Sequence, residues 1–109
     1  MEIKPSNNGF GLFATKSYTK GEIVFTLSGE IIDAPTRETI HIGNNKHIYD
    51  NYGIFINHSF APSVWIDKLY VRAMLDITNG DQITFDYNVN EVNMAAPFYV
   101  DDILICGNK

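Results

Sequence analysis

The apolar residues of this chain come in short runs cut by turn formers, and nowhere do they recur at three- and four-residue spacing over a helix of convincing length. A chain patterned in this way buries its side chains from strands, so the expected class is mainly β. The spacing predicts strands over residues 11–14, 23–27, 30–32, 64–66, 70–75 and 82–85, each bounded by Gly, Asn, Asp or Pro. Asn8-Gly9 and Asn79-Gly80 adopt positive φ readily and mark turns, with further bends at Thr19-Lys20-Gly21 and Gly43-Asn44-Asn45. Residues 49–56 suit a single helical turn, and residues 98–109, after Pro97, read as a last strand of unassigned pairing. The pattern contains no internal repeat, low-complexity tract or linker.

With 109 residues the chain makes one domain, large enough for a single modest core. Its hydrophobic fraction of 45% is a globular value, and it has neither an apolar run of about 18 residues nor a basic-then-apolar leader. A soluble, intracellular protein without membrane association is the expectation. Cys106 is the only cysteine, which excludes an intramolecular disulfide and a cysteine cluster for structural zinc. The charge is uneven. Seven acids and seven bases cancel up to Arg72, and beyond it Asp76, Asp81, Asp86, Glu91, Asp101 and Asp102 face only Lys109, giving the net charge of −5. Such a C-terminal third repels phosphate backbones, which argues against nucleic acid and for a cationic partner; a merely solvated acidic face is the plainer alternative.

Two segments carry chemistry. In Phe55-Ile56-Asn57-His58-Ser59 an apolar entry leads straight into three polar side chains, which a buried strand tolerates only if each finds a hydrogen-bonding partner. Asn57 and His58 together offer donors and acceptors suited to a heterocycle edge or an amino-acid zwitterion; equally, Asn57 can cap backbone groups. Ser59 beside His58 does not make a catalytic pair, since neighbours in an extended chain point apart and no nucleophile-elbow glycines flank the serine. The second segment, Ile83-Thr84-Phe85-Asp86-Tyr87, alternates so that Ile83, Phe85 and Tyr87 share one face, with the Tyr87 hydroxyl at its end. That phenol either anchors the core or orients a reacting group. Gly9-Phe10-Gly11 permits close backbone approach to a ligand, or is only a hairpin turn, and it lacks the third glycine and following helix of a dinucleotide fingerprint. His41, His47 and His58 match no common metal-ligand spacing, and His41 and His47 read as a polar loop. No metal site is expected.

Taken in order, these motifs resemble the SET domain, the fold of most protein-lysine methyltransferases. Gly9-Phe10-Gly11-Leu12-Phe13-Ala14 is similar to the opening "GxGLFA" element, and Lys20-Gly21-Glu22 with Phe25 to the "KGE.I" turn. Phe55 to Ser59 with Pro62 resembles "FINHSxxPN", and Asp76-Ile77 with Gly80 to Tyr87 resembles "DIxxGEELTFDY". The resemblance implies a β-clip-like fold of several small β-sheets, with a knot-like threading near the C-terminus that brings the Asn57-His58 segment beside the strand leading to Tyr87. It implies a single SET domain over residues 1–109, with residues 91–109 a degenerate post-SET-like tail. It also implies S-adenosylmethionine as cofactor, held by Gly9, Phe10, Gly11, Asn57, His58 and Phe98, and Tyr87 as the catalytic phenol of a lysine channel. Tyr49, Tyr52, Ile66 and Tyr70 are candidate channel walls. The implied activity is methyl transfer to the ε-amine of a lysine in a basic protein or peptide; a non-catalytic SET-fold module that binds a peptide or protein is the alternative. Departures from the pattern have consequences. Ser63 replaces the asparagine after the proline, which predicts a weaker local turn. Only Cys106-Gly107 matches the zinc-binding post-SET cysteines, so Phe98, Tyr99 and the last residues, or a second subunit in a homodimer, have to close the channel. The segment before Asn57, which often reads substrate in relatives, is short.

Overall fold

The computed structural model describes residues 1–6, 9–36, 38–91, 98–100 and 102–107. In chain order its strands are β1 (Glu2–Ser6), β2 (Gly9–Phe13), β3 (Ile23–Thr26), β4 (Gly29–Ile32), β5 (Ile40–Gly43), β6 (Lys46–Asp50), β7 (Asn57–His58), β8 (Val64–Asp67), β9 (Tyr70–Ala73), β10 (Gln82–Phe85), β11 (Phe98–Val100) and β12 (Ile103–Ile105). A 3₁₀ turn, Gly53–Phe55, precedes β7, and one α-helical turn, α1 (Tyr87–Asn90), follows β10. No helix among the described residues is long and apolar enough to cross a membrane.

The strands form small sheets ordered β1-β2-β10-β7, β3-β9-β8, β4-β6-β5 and β11-β12. One pairing positions the site: β7 runs parallel to β10, with Thr84 opposite Asn57 and Phe85 opposite His58. Parallel neighbours need a crossover, and the chain supplies one through β8 and β9. Alternation along β10 works as the sequence predicts, because Ile83 and Phe85 are buried while Thr84, on the other face, meets Ser63. Ile83 joins Leu12, Ile56, Val64 and Val71 in a core that holds all the larger sheets together.

Four expectations are corrected. Tyr87 does not continue the alternating face of β10, because Asp86 turns the chain into α1 and its carboxylate Oδ1 accepts the Asn88 N–H at 2.9 Å. His41 and His47 are not in a loop: they face each other across β5 and β6, and His47 is buried. The predicted helical turn over residues 49–56 is narrower, a 3₁₀ turn over Gly53–Phe55, since Tyr49 and Asp50 belong to β6. The stretch after Pro97 is a hairpin rather than one strand, turning at Asp102 with φ 66°. The sequence pattern also misses β1, an edge strand in which Pro5 opposes Phe10 and few residues are apolar. Asn8 of the first predicted turn, the tail residues 92–97 and 101, and Lys109 lie outside the described residues.

Candidate functional site

Asp50, buried at the end of β6, accepts N–H groups from Ser28 (2.8 Å), Tyr52 (2.8 Å) and Gly53 (2.7 Å). A carboxylate with three donors fixes the 3₁₀ turn and hence the direction in which Ile56, Asn57 and His58 leave it. A side chain at Gly53 would press on Ile40 Cδ1 at 2.8 Å, so the turn also needs glycine for close packing.

Asn57 donates its amide N–H to the Phe10 carbonyl at 3.1 Å, tying β7 to the Gly9-Phe10-Gly11 segment. Its amide oxygen has no hydrogen-bond partner among the described residues. A Cβ on Gly11 would collide with the Gln82 amide and stand 3.1 Å from Asn57 Nδ2. Gly9 has φ 113° and open space beside it, and Phe10 exposes 56% of its surface. The Gly9 backbone and the Phe10 ring are thus both open to solvent on the strand that Asn57 ties to β7.

His58 is turned inward, its side chain 3% exposed. Its Nδ1 accepts the Tyr87 N–H at 3.0 Å, and because a backbone N–H only donates, the ring proton sits on Nε2. That Nε2–H is buried and has no partner among the described residues. Asp86 Oδ1 lies 3.8 Å from Nδ1, but a deprotonated Nδ1 makes no ion pair with it. Burial pushes the imidazole pKa down, outweighing the upward pull of Asp86, so the ring is neutral at neutral pH.

Tyr87 donates its hydroxyl to the Ile56 carbonyl at 2.5 Å. Its ring packs on Phe85 (4.6 Å between centroids), His58 (5.3 Å) and Phe98 (5.9 Å). Burial, then the neighbouring Glu91 carboxylate, raise the phenol pKa far above its ordinary value, so it stays protonated. Phe98 is brought here by Asn88, whose side chain donates to Leu104 O (3.2 Å) and accepts from Cys106 N (3.1 Å) and Gly107 N (3.0 Å). At the far end of α1, buried Glu91 accepts the His41 N–H at 3.0 Å and Asn90 Nδ2 at 2.6 Å, while Asn90 Nδ2 also donates to His41 O at 3.1 Å. Burial raises the Glu91 pKa, partly offset by these donors.

The fold thus gathers Gly9, Phe10, Gly11, Asn57, His58, Tyr87 and Phe98. It spreads the channel candidates. Tyr49 donates to Glu38 at 3.5 Å, Tyr52 meets Phe25 edge-on at 6.2 Å, and Tyr70 lies under Arg72 at 5.5 Å. Ile66 lines a cleft with His41, Lys68 and Asn90, beside the turn that carries Tyr87. Ser63 does not weaken its turn: its hydroxyl donates to Gln82 O and accepts from Thr84 N, both at 3.0 Å. The sequence reading misses Phe60, which crosses His58 at 4.4 Å, and the Ile56 carbonyl. Phe60 was findable as an aromatic next to the polar run; a main-chain acceptor leaves no trace in a sequence.

A β protein of small sheets, with an Asn-His strand laid parallel to the strand that ends before a partly buried tyrosine, defines the class. The SET domain model matches residues 9–88, and the chain belongs to the SET-domain family. It is 33% identical over 134 aligned positions to "Histone-lysine N-methyltransferase, H3 lysine-36 specific" of Yarrowia lipolytica, covering 98% of this chain and 17% of the relative. It is 29% identical to "Histone-lysine N-methyltransferase ASHH2" of Arabidopsis thaliana, covering 86% of this chain and 7% of that protein. The chain therefore spans less than a fifth of these relatives. Because 134 positions align with a chain of 109 residues, the Yarrowia protein has at least 25 aligned residues without a counterpart here. A crystal structure of a candidate histone methyltransferase from Plasmodium falciparum shares the fold, with TM-score 0.63, 23% identity, and coverage of 79% of this chain and 94% of that one.

Proposed function

We propose that this SET domain transfers a methyl group from S-adenosylmethionine to the ε-amine of a lysine in a basic protein. The observation that carries the reading is the pairing of β7 with β10, which sets Asn57, open toward Gly9 and Phe10, next to a partly buried, neutral Tyr87. The cofactor fits the residues present. The Asn57 amide oxygen, unpartnered among the described residues, suits an ammonium, the open backbone at Gly9 suits close approach, and exposed Phe10 and Phe98 suit an aromatic base. Gly9, Phe10, Gly11, Asn57, the main chain at His58, and Phe98 would hold it. When bound, it supplies an electrophilic methyl on a sulfonium.

The chain's own residues do the rest. Tyr87 is no base, since its proton is committed to Ile56 O and its pKa is raised; its oxygen lone pairs remain free to accept from an incoming amine and aim it. A lysine amine has to lose its proton first, and the aromatic surroundings of Phe85, Tyr87 and Phe98 disfavour the ammonium. Ile66 is the channel candidate that shares a cleft with Asn90 of α1; Tyr49, Tyr52 and Tyr70 present exposed rings, where a substrate chain can meet them. The acidic C-terminal third complements a lysine-rich partner. Relatives named for histone H3 lysine 36 make a histone, in a nuclear setting, the first substrate class to test.

The rival reading, a SET-fold module that binds without catalysis, draws on the missing residues relative to the Yarrowia protein. Titration calorimetry with S-adenosylmethionine separates the two. Expected are a heat of binding for the parent, an affinity at least about tenfold weaker (~1.4 kcal/mol) for Asn57→Ala, and little change for Tyr87→Phe. A parent chain that gives no heat supports the binding module.

A further inference from the structure

We propose that the His58 imidazole is a positioning residue for Tyr87: through Nδ1 it caps the one-turn helix α1 and sets the direction of the phenol. The inference rests on the reading that Tyr87 acts on the substrate amine. A single four-residue turn has no stability of its own, because its nucleation cost is repaid by almost no intrahelical bonds. Its first N–H groups need outside acceptors. Asp86 takes Asn88 N–H, and among the described residues the acceptor for Tyr87 N–H is His58, 29 residues earlier in the chain.

The consequence is a two-point suspension. Tyr87 is held by its backbone N–H on His58 Nδ1 (3.0 Å) and by its hydroxyl on Ile56 O (2.5 Å), and both acceptors belong to one short stretch of chain. Moving β7 moves both ends of Tyr87 together, while losing either bond lets the ring pivot on the other. The rest of the imidazole is consistent with this service. It is enclosed by Phe60, Tyr87 and Phe98 at 4.4, 5.3 and 6.4 Å, and its Nε2–H goes unpaired among the described residues, a penalty of the kind a fold keeps where the other ring nitrogen is needed. A ring so enclosed reaches a ligand only by moving, so any cofactor contact at this position comes through the main chain.

The arrangement works only with neutral His58. Protonated Nδ1 becomes a donor, cannot accept from Tyr87 N–H, and faces one carboxylate, Asp86, at 3.8 Å. Its other ring contacts among the described residues are the Tyr87 phenol and the Phe60 and Phe98 rings.

Three variants test it. In His58→Asn the amide oxygen sits near the place of Nδ1 and keeps an acceptor; in His58→Gln the acceptor moves to the place of Nε2; in His58→Leu it is gone. Methyl transfer should fall about 10- to 100-fold in Gln and Leu and recover most of the way in Asn, with cofactor affinity in calorimetry changed no more than about twofold. Nitrogen-15 NMR of the parent, which requires no activity, should show the Nε2–H tautomer and a Tyr87 amide shift that follows the His58 titration. An Nδ1–H tautomer, or a Tyr87 amide indifferent to that titration, overturns the proposal. So does a loss of cofactor affinity, with unchanged turnover, across all three variants. A parent that transfers no methyl group but keeps the tautomer and the amide response refutes the methyltransferase reading alone.

Discussion

Tyr87 gives its hydroxyl proton to a main-chain carbonyl that is otherwise buried, so its replacement by phenylalanine separates packing from hydrogen bonding. Tyr87→Phe keeps the ring contacts and strands the Ile56 acceptor, and urea unfolding should show a loss of about 1–3 kcal/mol. A variant as stable as the parent would mean that the bond contributes nothing. At Gly11 a methyl group is enough to disturb the site: Gly11→Ala pushes the Gln82 amide aside and crowds Asn57 Nδ2. Cofactor affinity should drop in that variant with global stability nearly kept; unchanged affinity would place the ligand away from Asn57. Asn57, His58 and Tyr87 were legible because polar side chains interrupt apolar runs. What His58 does was not legible, since its partner is a backbone N–H far along the chain.

The elements most visible in the sequence were those whose side chains alternate cleanly, such as β10, whose predicted limits coincide with the observed ones. β5 and β6 escaped because His41 and His47 stand where an apolar residue would complete the period, and only the pairing of the two strands makes room for a neutral, buried His47. α1 escaped because one turn is too short for any period; Asp86 as its cap was the available signal. Its other end is fixed by Glu91 on the edge of β5. Glu91→Gln keeps an acceptor for the His41 N–H and removes a carboxylate that burial disfavours, so thermal unfolding should change little. Glu91→Ala leaves that N–H unpaired and should lower stability by about 1–3 kcal/mol. Equal stability of the two variants would show that β5 does not depend on this contact.

For the molecule as a whole, two buried histidines give acid sensitivity. His47 is lowered by burial and then by His41, and His58 by burial against the pull of Asp86. Below the ordinary value of 6.5 the unfolded chain takes up protons that the folded one refuses, so their contribution is complete above 6.5 and is lost as pH falls through the folded values. Glu91 works in the opposite sense: its raised pKa means the folded chain gains a proton first as pH falls, restoring some stability toward 4.5. Melting curves should therefore decline from about pH 6.5 downward, less steeply in His47→Gln and more steeply in Glu91→Gln. A decline unaffected by His47→Gln would place the sensitive group elsewhere. The SET-domain class was legible in four motifs in register; the sheet order that unites them was not, because it depends on a parallel pairing between distant segments.

The most direct measurement is transfer of labelled methyl from S-adenosylmethionine to histones and lysine-rich peptides, with Tyr87→Phe and Asn57→Ala beside the parent. Label on lysine ε-nitrogen that falls in both variants is the predicted result. Parent and Tyr87→Phe labelling substrate equally, or no label at all from a parent that binds the cofactor, would contradict a site built around Tyr87.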